Sequence, residues 1–145
     1  MSNGITILIA EDNPGDVFLI KRILGNLIFN NTVAIATDGE GVMNYLYKSL
    51  EEQEKYSRPD FILLDLNLPK IDGLEILSQI KTHPKLKLIP VIIFSSSQAE
   101  KDVSACYERH ANCYVVKPYD LEEYQSTLEN ICNFWINRVI LPTSL

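Results

Sequence analysis

The sequence predicts a (βα)5 doubly wound parallel sheet with strand order 2-1-3-4-5. Three observations lead there. Five short apolar runs, Ile5–Ala10, Thr32–Ala36, Phe61–Leu64, Pro90–Phe94 and Cys113–Val116, are β-branched and lack period-2 alternation, as strands buried on both faces do. Their starts lie 23 to 29 residues apart with a helical pattern in every gap, the signature of βαβ units. The 145 residues fit one domain of common size, with room for one core. Right-handed crossovers then place helices on both faces, and the switch point falls between strands 1 and 3.

Each element carries its own signals. After the first run, Asn13 can cap a helix with Pro14 at its first position and Asp16 in its first turn. Val17, Ile20, Leu24 and Leu27 follow at spacings of three and four. Glu51 to Arg58 reads as a helix extension plus loop before the third run. Asp72-Gly-Leu-Glu75, Ser97-Gln-Ala-Glu100 and Asp120-Leu-Glu-Glu123 have capping-box spacing and predict three further helix starts. Pro90 is acceptable as the first residue of its strand. The last helix shows an apolar stripe of Leu121, Tyr124, Leu128, Ile131 and Trp135.

Composition narrows the function. A net charge of −6 repels a phosphate backbone, so no nucleic-acid partner is expected. No apolar run approaches the roughly 18 residues of a membrane span. Met1–Gly4 lacks the basic start of a signal peptide, so a cytoplasmic protein with no membrane partner is expected. Cys106, Cys113 and Cys132 form no C-x-x-C pair and read as small hydrophobes on core or helix faces.

The strand ends carry the chemistry. Strand 1 ends in Glu11-Asp12, strand 3 in Asp65, strand 4 in Ser95 and strand 5 in Lys117-Pro118. Strands 1 and 3 are neighbours, so three carboxylates converge at the switch point. Such a cluster repels itself and needs a cation, and oxygen-only ligands select a hard one such as Mg²⁺. Lys117 adds a positive charge and Ser95 a hydroxyl. A carboxylate nucleophile, a metal, a lysine and a hydroxyl donor together suit a phosphoryl group. Taken singly, each residue has a plain structural reading as a cap, turn or surface group; the coincidence at four strand ends argues against it.

With these residues in place, the sequence resembles the receiver domain of two-component response regulators, a flavodoxin-like fold. The matching text is Ile7-Leu-Ile-Ala-Glu-Asp-Asn-Pro14, Pro59-Asp-Phe-Ile-Leu-Leu-Asp-Leu-Asn-Leu-Pro69 with Asp72-Gly73, Pro90-Val-Ile-Ile-Phe-Ser-Ser96 and Tyr114-Val-Val-Lys-Pro118. The resemblance implies a phosphoacceptor at Asp65, served by a sensor histidine kinase. It implies Mg²⁺ at Asp12 directly, at Glu11 through water, at Asp65, and at the backbone carbonyl of Asn67. It implies Lys117 as the partner of the acyl phosphate, and Ser95 with Tyr114 as a coupled switch. Ser95 stands where Thr is commoner and keeps the hydroxyl. On this reading the protein is a signalling acceptor rather than an enzyme.

A narrower resemblance is to single-domain regulators of bacterial, notably cyanobacterial, phytochromes. It rests on Leu-Asn-Leu-Pro, the long segment before strand 3 and the ending Asn133-Phe-Trp-Ile-Asn-Arg-Val-Ile-Leu-Pro142. It implies a phytochrome kinase as partner and a homodimer through the helix 4–strand 5–helix 5 face and the tail 134–145. Three other readings compete. A flavodoxin-like binding module would need a phosphate loop after strand 1, where Glu11-Asp12 would repel the phosphate. A haloacid-dehalogenase-like phosphatase would need an acid two residues after its nucleophile, where this chain has Asn67. A pseudo-receiver scaffold would need a degraded site, and every matched position retains a competent side chain.

Overall fold

The computed structural model describes residues 4–27 and 31–142. Its elements run β1 (Ile5–Ala10), α1 (Pro14–Gly25), β2 (Asn31–Ala36), α2 (Gly39–Glu51), β3 (Phe61–Leu64), α3 (Gly73–Thr82), a 3₁₀ turn (Leu86–Leu88), β4 (Val91–Ser95), α4 (Glu100–Glu108), β5 (Cys113–Val116) and α5 (Leu121–Asn133). A turn of π-helix, Phe134–Arg138, extends α5. The sheet is parallel in the order β2-β1-β3-β4-β5, as the strand spacing predicts.

Alternate residues of the central strands divide the core. Leu8, Ala10, Ile62, Leu64, Val91 and Ile93 face α2, α3 and α4, where Val42, Leu46, Ile76, Leu77, Ile80 and Cys106 meet them. Ile7, Ile9, Phe61, Leu63, Ile92 and Phe94 face α1 and α5, against Ile20, Leu24, Tyr124, Leu128 and Ile131. Each of these Leu, Ile, Val and Phe side chains contributes about 1.5–3 kcal/mol on leaving water. Burial on both faces holds for β1, β3 and β4; the edge strands β2 and β5 are mostly half-buried. The open edge of β5 is partly closed by Tyr107, whose hydroxyl accepts from the Tyr114 amide at 3.2 Å.

Helix starts follow the sequence in three places. Asn13, Asp72 and Asp120 each accept from the backbone N–H three residues on, at 2.9 to 3.0 Å. Asp38 caps α2 in the same way. The expected cap at Ser97 is not one: α4 begins at Glu100 behind Ala99, with no side-chain cap. Ser97 instead donates its hydroxyl to Asp102 at 2.5 Å, so the segment stays a loop for two more residues. The stripe on α5 is also shorter than expected. Leu121, at the first position of α5, is 59% exposed. The Glu51–Arg58 stretch adds one residue to α2 and then turns.

The start of the tail folds onto its own domain, as the last position of the α5 stripe expects. Trp135 and Ile136 pack onto the α1/α5 core, and an Arg58 Nη2 donates to the Pro142 carbonyl. Residues 143–145 of the expected tail contact lie outside the described residues.

Register sets the functional edge. Ala10 stands opposite Leu64 and Ala36, and Ser95 opposite Val116. The ladder continues one residue past the strands: Glu11 N–H donates to Ala36 C=O at 3.0 Å, Asp65 N–H to Ala10 C=O at 3.0 Å and Lys117 N–H to Ser95 C=O at 2.8 Å. The backbones of the acidic and basic residues are therefore fixed by the sheet. Beneath Asp65, Gly73 lets α3 begin in contact with the strand end. A Cβ there would lie 2.5 Å from Leu66 Cα and 2.6 Å from the Asp65 carbonyl oxygen. Gly73→Ala is expected to cost about 1–3 kcal/mol by forcing these backbones apart. Chemical denaturation measures it; a midpoint equal to the parent's would contradict the contact.

Candidate functional site

The structure brings four of the expected residues together at the carboxyl end of the sheet. Glu11 and Asp65 are buried at the ends of β1 and β3, and Asp12 is exposed beside them. One carboxylate oxygen from each lies within 4.8 Å of the others. From the end of β5, Lys117 reaches in with its side chain 9% exposed and contacts Glu11 Oε1. Its ammonium also lies 3.3 Å from Asp16 Oδ2 and 3.5 Å from Asp65 Oδ2. The ammonium stands 5.9 Å from the centre of the Phe94 ring.

The charge balance is uneven, with one cation against four carboxylates. Burial pushes the Glu11 carboxyl up to about 7, and the Asp65 charge adds to this, while the hydrogen bond from Lys117 works the other way. Burial alone would disfavour the Lys117 ammonium. The hydrogen bond and charge of Glu11, with the charges of Asp65 and Asp16, outweigh it and raise its pKa. Asp65 Oδ1 is buried and has no hydrogen-bond partner. A buried carboxylate oxygen left unpaired is costly, and a bound cation would offset that cost. Three clustered oxygen donors and this orphaned atom fit a hard divalent cation.

Other expected residues stand nearby. Ser95 is fully buried at the end of β4, and its hydroxyl accepts from Ser97 N–H at 3.3 Å. Tyr114, half-buried on β5, donates its hydroxyl to the Ser97 carbonyl at 2.8 Å. The backbone of one residue, Ser97, thus sits between the two, its N–H on Ser95 and its carbonyl on Tyr114. Asn67 is exposed and lines a cavity of about 180 Å³ with Asp72, Ser97 and Asp102. The three cysteines are free, and burial pushes Cys106 up to about 11 and Cys132 up to about 12, so neither is a ready nucleophile.

Two residues were not expected here. Asp16 faces Lys117, and Tyr124 donates its hydroxyl to Asp16 Oδ1 at 2.7 Å. In sequence Asp16 is an ordinary first-turn acid and Tyr124 an ordinary core position of α5. Only the contact between α1 and α5 puts them together.

The chain matches the response regulator receiver domain over residues 7–129. It belongs to the response regulator receiver family. This receiver is 41% identical over 138 residues to the response regulator Rcp1 of Synechocystis sp., covering 95% of this chain and 93% of that one. The solved Mn²⁺-bound form of Rcp1 matches with a TM-score of 0.89 at 40% identity, covering 96% of this chain and 99% of that chain. The phosphorylated cyanobacterial phytochrome response regulator RcpA matches with a TM-score of 0.91 at 40% identity, covering 97% and 100%. Both support the narrower likeness seen in the sequence. No helix among the described residues of this receiver is long and apolar enough to cross a membrane.

The raised carboxyl of Glu11 makes cation binding pH-dependent. Below about 7 a proton occupies the group and must leave when a cation binds. Mn²⁺ or Mg²⁺ affinity should therefore fall up to about tenfold per pH unit below that point and level off above it. For the cation-free chain the sign is opposite. A carboxyl raised from 4.5 to about 7 stabilises the fold while protonated, and that contribution is lost as pH rises through about 7. Calorimetric titration and melting across this range check both; affinity independent of pH would contradict them.

Proposed function

We propose that this receiver accepts a phosphoryl group on Asp65 from a phosphohistidine of a phytochrome-class sensor kinase, with Mg²⁺ as cofactor. The observation that carries the reading is the environment of Asp65: one oxygen buried without a partner, the other facing Lys117 at 3.5 Å. An oxygen of Asp65 attacks phosphorus; the P–O bond forms as the P–N bond breaks, and the imidazole leaves with the electron pair. Lys117 offers its ammonium to the phosphoryl oxygens. Glu11, Asp12, Asp65 and the Asn67 carbonyl would hold Mg²⁺, which supplies neutralisation of phosphoryl charge when bound. The chain is then a signalling acceptor whose only chemistry is its own phosphorylation and dephosphorylation. The pseudo-receiver reading is disfavoured because every side chain this chemistry uses is present.

Acetyl phosphate tests the acceptor. Mass spectrometry of the protein with acetyl phosphate and Mg²⁺ is expected to show one added phosphoryl group, absent in Asp65→Asn and with chelator. Retained incorporation in Asp65→Asn would overturn the assignment.

The switch we infer runs through the backbone of Ser97. A phosphoryl oxygen that draws the Ser95 hydroxyl away from Ser97 N–H loosens the residue whose carbonyl holds Tyr114. Phosphorylation thereby biases the position of Tyr114 and α4, a local charge event acting on a two-state element.

The readout we propose is a homodimer through α4, β5, α5 and the tail. Trp135 packs on its own core, which narrows the apolar contact to Phe134 and Ile140, exposed by 53% and 96%. Sedimentation is expected to show a dimer at about micromolar concentration, since the two copies of Phe134 and of Ile140 offset part of the association cost. Phe134→Ala with Ile140→Asp should give monomer. A parent that stays monomeric at high concentration, phosphorylated or not, would contradict it.

A further inference from the structure

We propose that Asp16, oriented by Tyr124, is the positioning residue that keeps the Lys117 ammonium at the phosphoacceptor site when a divalent cation takes the oxygens of Glu11 and Asp65. The inference rests on the reading of Asp65 given above.

Lys117 has three carboxylate partners: Glu11, Asp16 and Asp65. Two of them, with Asp12, make the acidic cluster suited to a cation. A divalent ion carries twice the charge of an ammonium and competes with it for the same oxygens. Asp16 stands outside that cluster, so it is the carboxylate that remains to Lys117.

Asp16 is built for this. Its N–H donates to the cap Asn13 at 3.0 Å, which fixes its backbone. The Tyr124 hydroxyl donates to Oδ1 at 2.7 Å, a charge-assisted bond that leaves Oδ2 for Lys117 at 3.3 Å. Tyr124 is itself only 5% exposed. Its ring meets Phe94 edge-on at 5.3 Å, so the hydroxyl cannot swing away. Phe94 also lies beside the Lys117 ammonium, which closes that side to water. Elements α1, β4 and α5 therefore converge on one lysine.

The test follows the Lys117 side-chain ammonium by NMR in ¹⁵N-labelled full-length protein with Mg²⁺, assigned by its loss in Lys117→Ala. The parent is expected to show a signal slowed in exchange, and Asp16→Asn to lose it. The maximal rate of phosphate incorporation from acetyl phosphate should fall about tenfold in Asp16→Asn. Asp16→Glu should recover most of it. Tyr124→Phe, which changes no charge, should lower the rate roughly threefold. In a Lys117→Ala background Asp16→Asn should add nothing. An unchanged Lys117 signal in Mg²⁺-loaded Asp16→Asn would overturn the proposal. So would a loss of rate as large without Lys117 as with it. If Asp16→Asn loses the signal while the parent takes up no phosphate, the positioning stands and the acceptor role of Asp65 falls.

Discussion

A lysine ammonium held among three carboxylates at the end of a parallel sheet is the interaction on which the rest of this structure depends. Removing such charges from water costs several kcal/mol each unless partners replace it. Glu11, Asp16 and Asp65 supply those partners to Lys117, but one positive charge cannot satisfy them all. The residual negative charge and the unpaired Asp65 oxygen leave carboxylate oxygens that a cation would satisfy. The fold tolerates this because the ladder bonds of Glu11, Asp65 and Lys117 fix their backbones, and a core on both faces fixes the ladder.

Rigidity is not uniform around the site. Helices α1, α3 and α5 are capped by side chains and bury several residues each. Helix α4 lacks a side-chain cap and buries only Cys106. The loop before it carries Ser97, whose N–H meets Ser95 and whose carbonyl meets Tyr114. Low local burial is where a protein opens most readily. A change in charge at Asp65 thus meets a stiff wall on the α1 side and a loosely held element on the α4 side.

Most of the fold was legible because a buried parallel strand and an amphipathic helix write themselves as runs and stripes. The site was legible for Glu11, Asp12, Asp65, Ser95 and Lys117, since each ends a strand and the sheet order brings the ends together. Asp16 and Tyr124 were not, because their meeting depends on packing between helices 108 residues apart. Ser97 misled because a capping-box spacing says nothing of whether the serine finds a better partner, here Asp102. Trp135 carried two readings in sequence, the end of the α5 stripe and part of a tail contact, and the packing agrees with the stripe.

The central claim is that Asp65 is a cation-dependent phosphoacceptor wired to the β4–α4 loop and β5. Backbone NMR with beryllium fluoride, a mimic of the phosphoryl group, tests it most directly. The account predicts Mg²⁺-dependent shifts at Asp65, at Ser95 to Ser97, at Tyr114 and at Lys117, with little change in β2 or at the opposite end of the sheet. No shifts, or shifts that arise without Mg²⁺ and away from these residues, would contradict it.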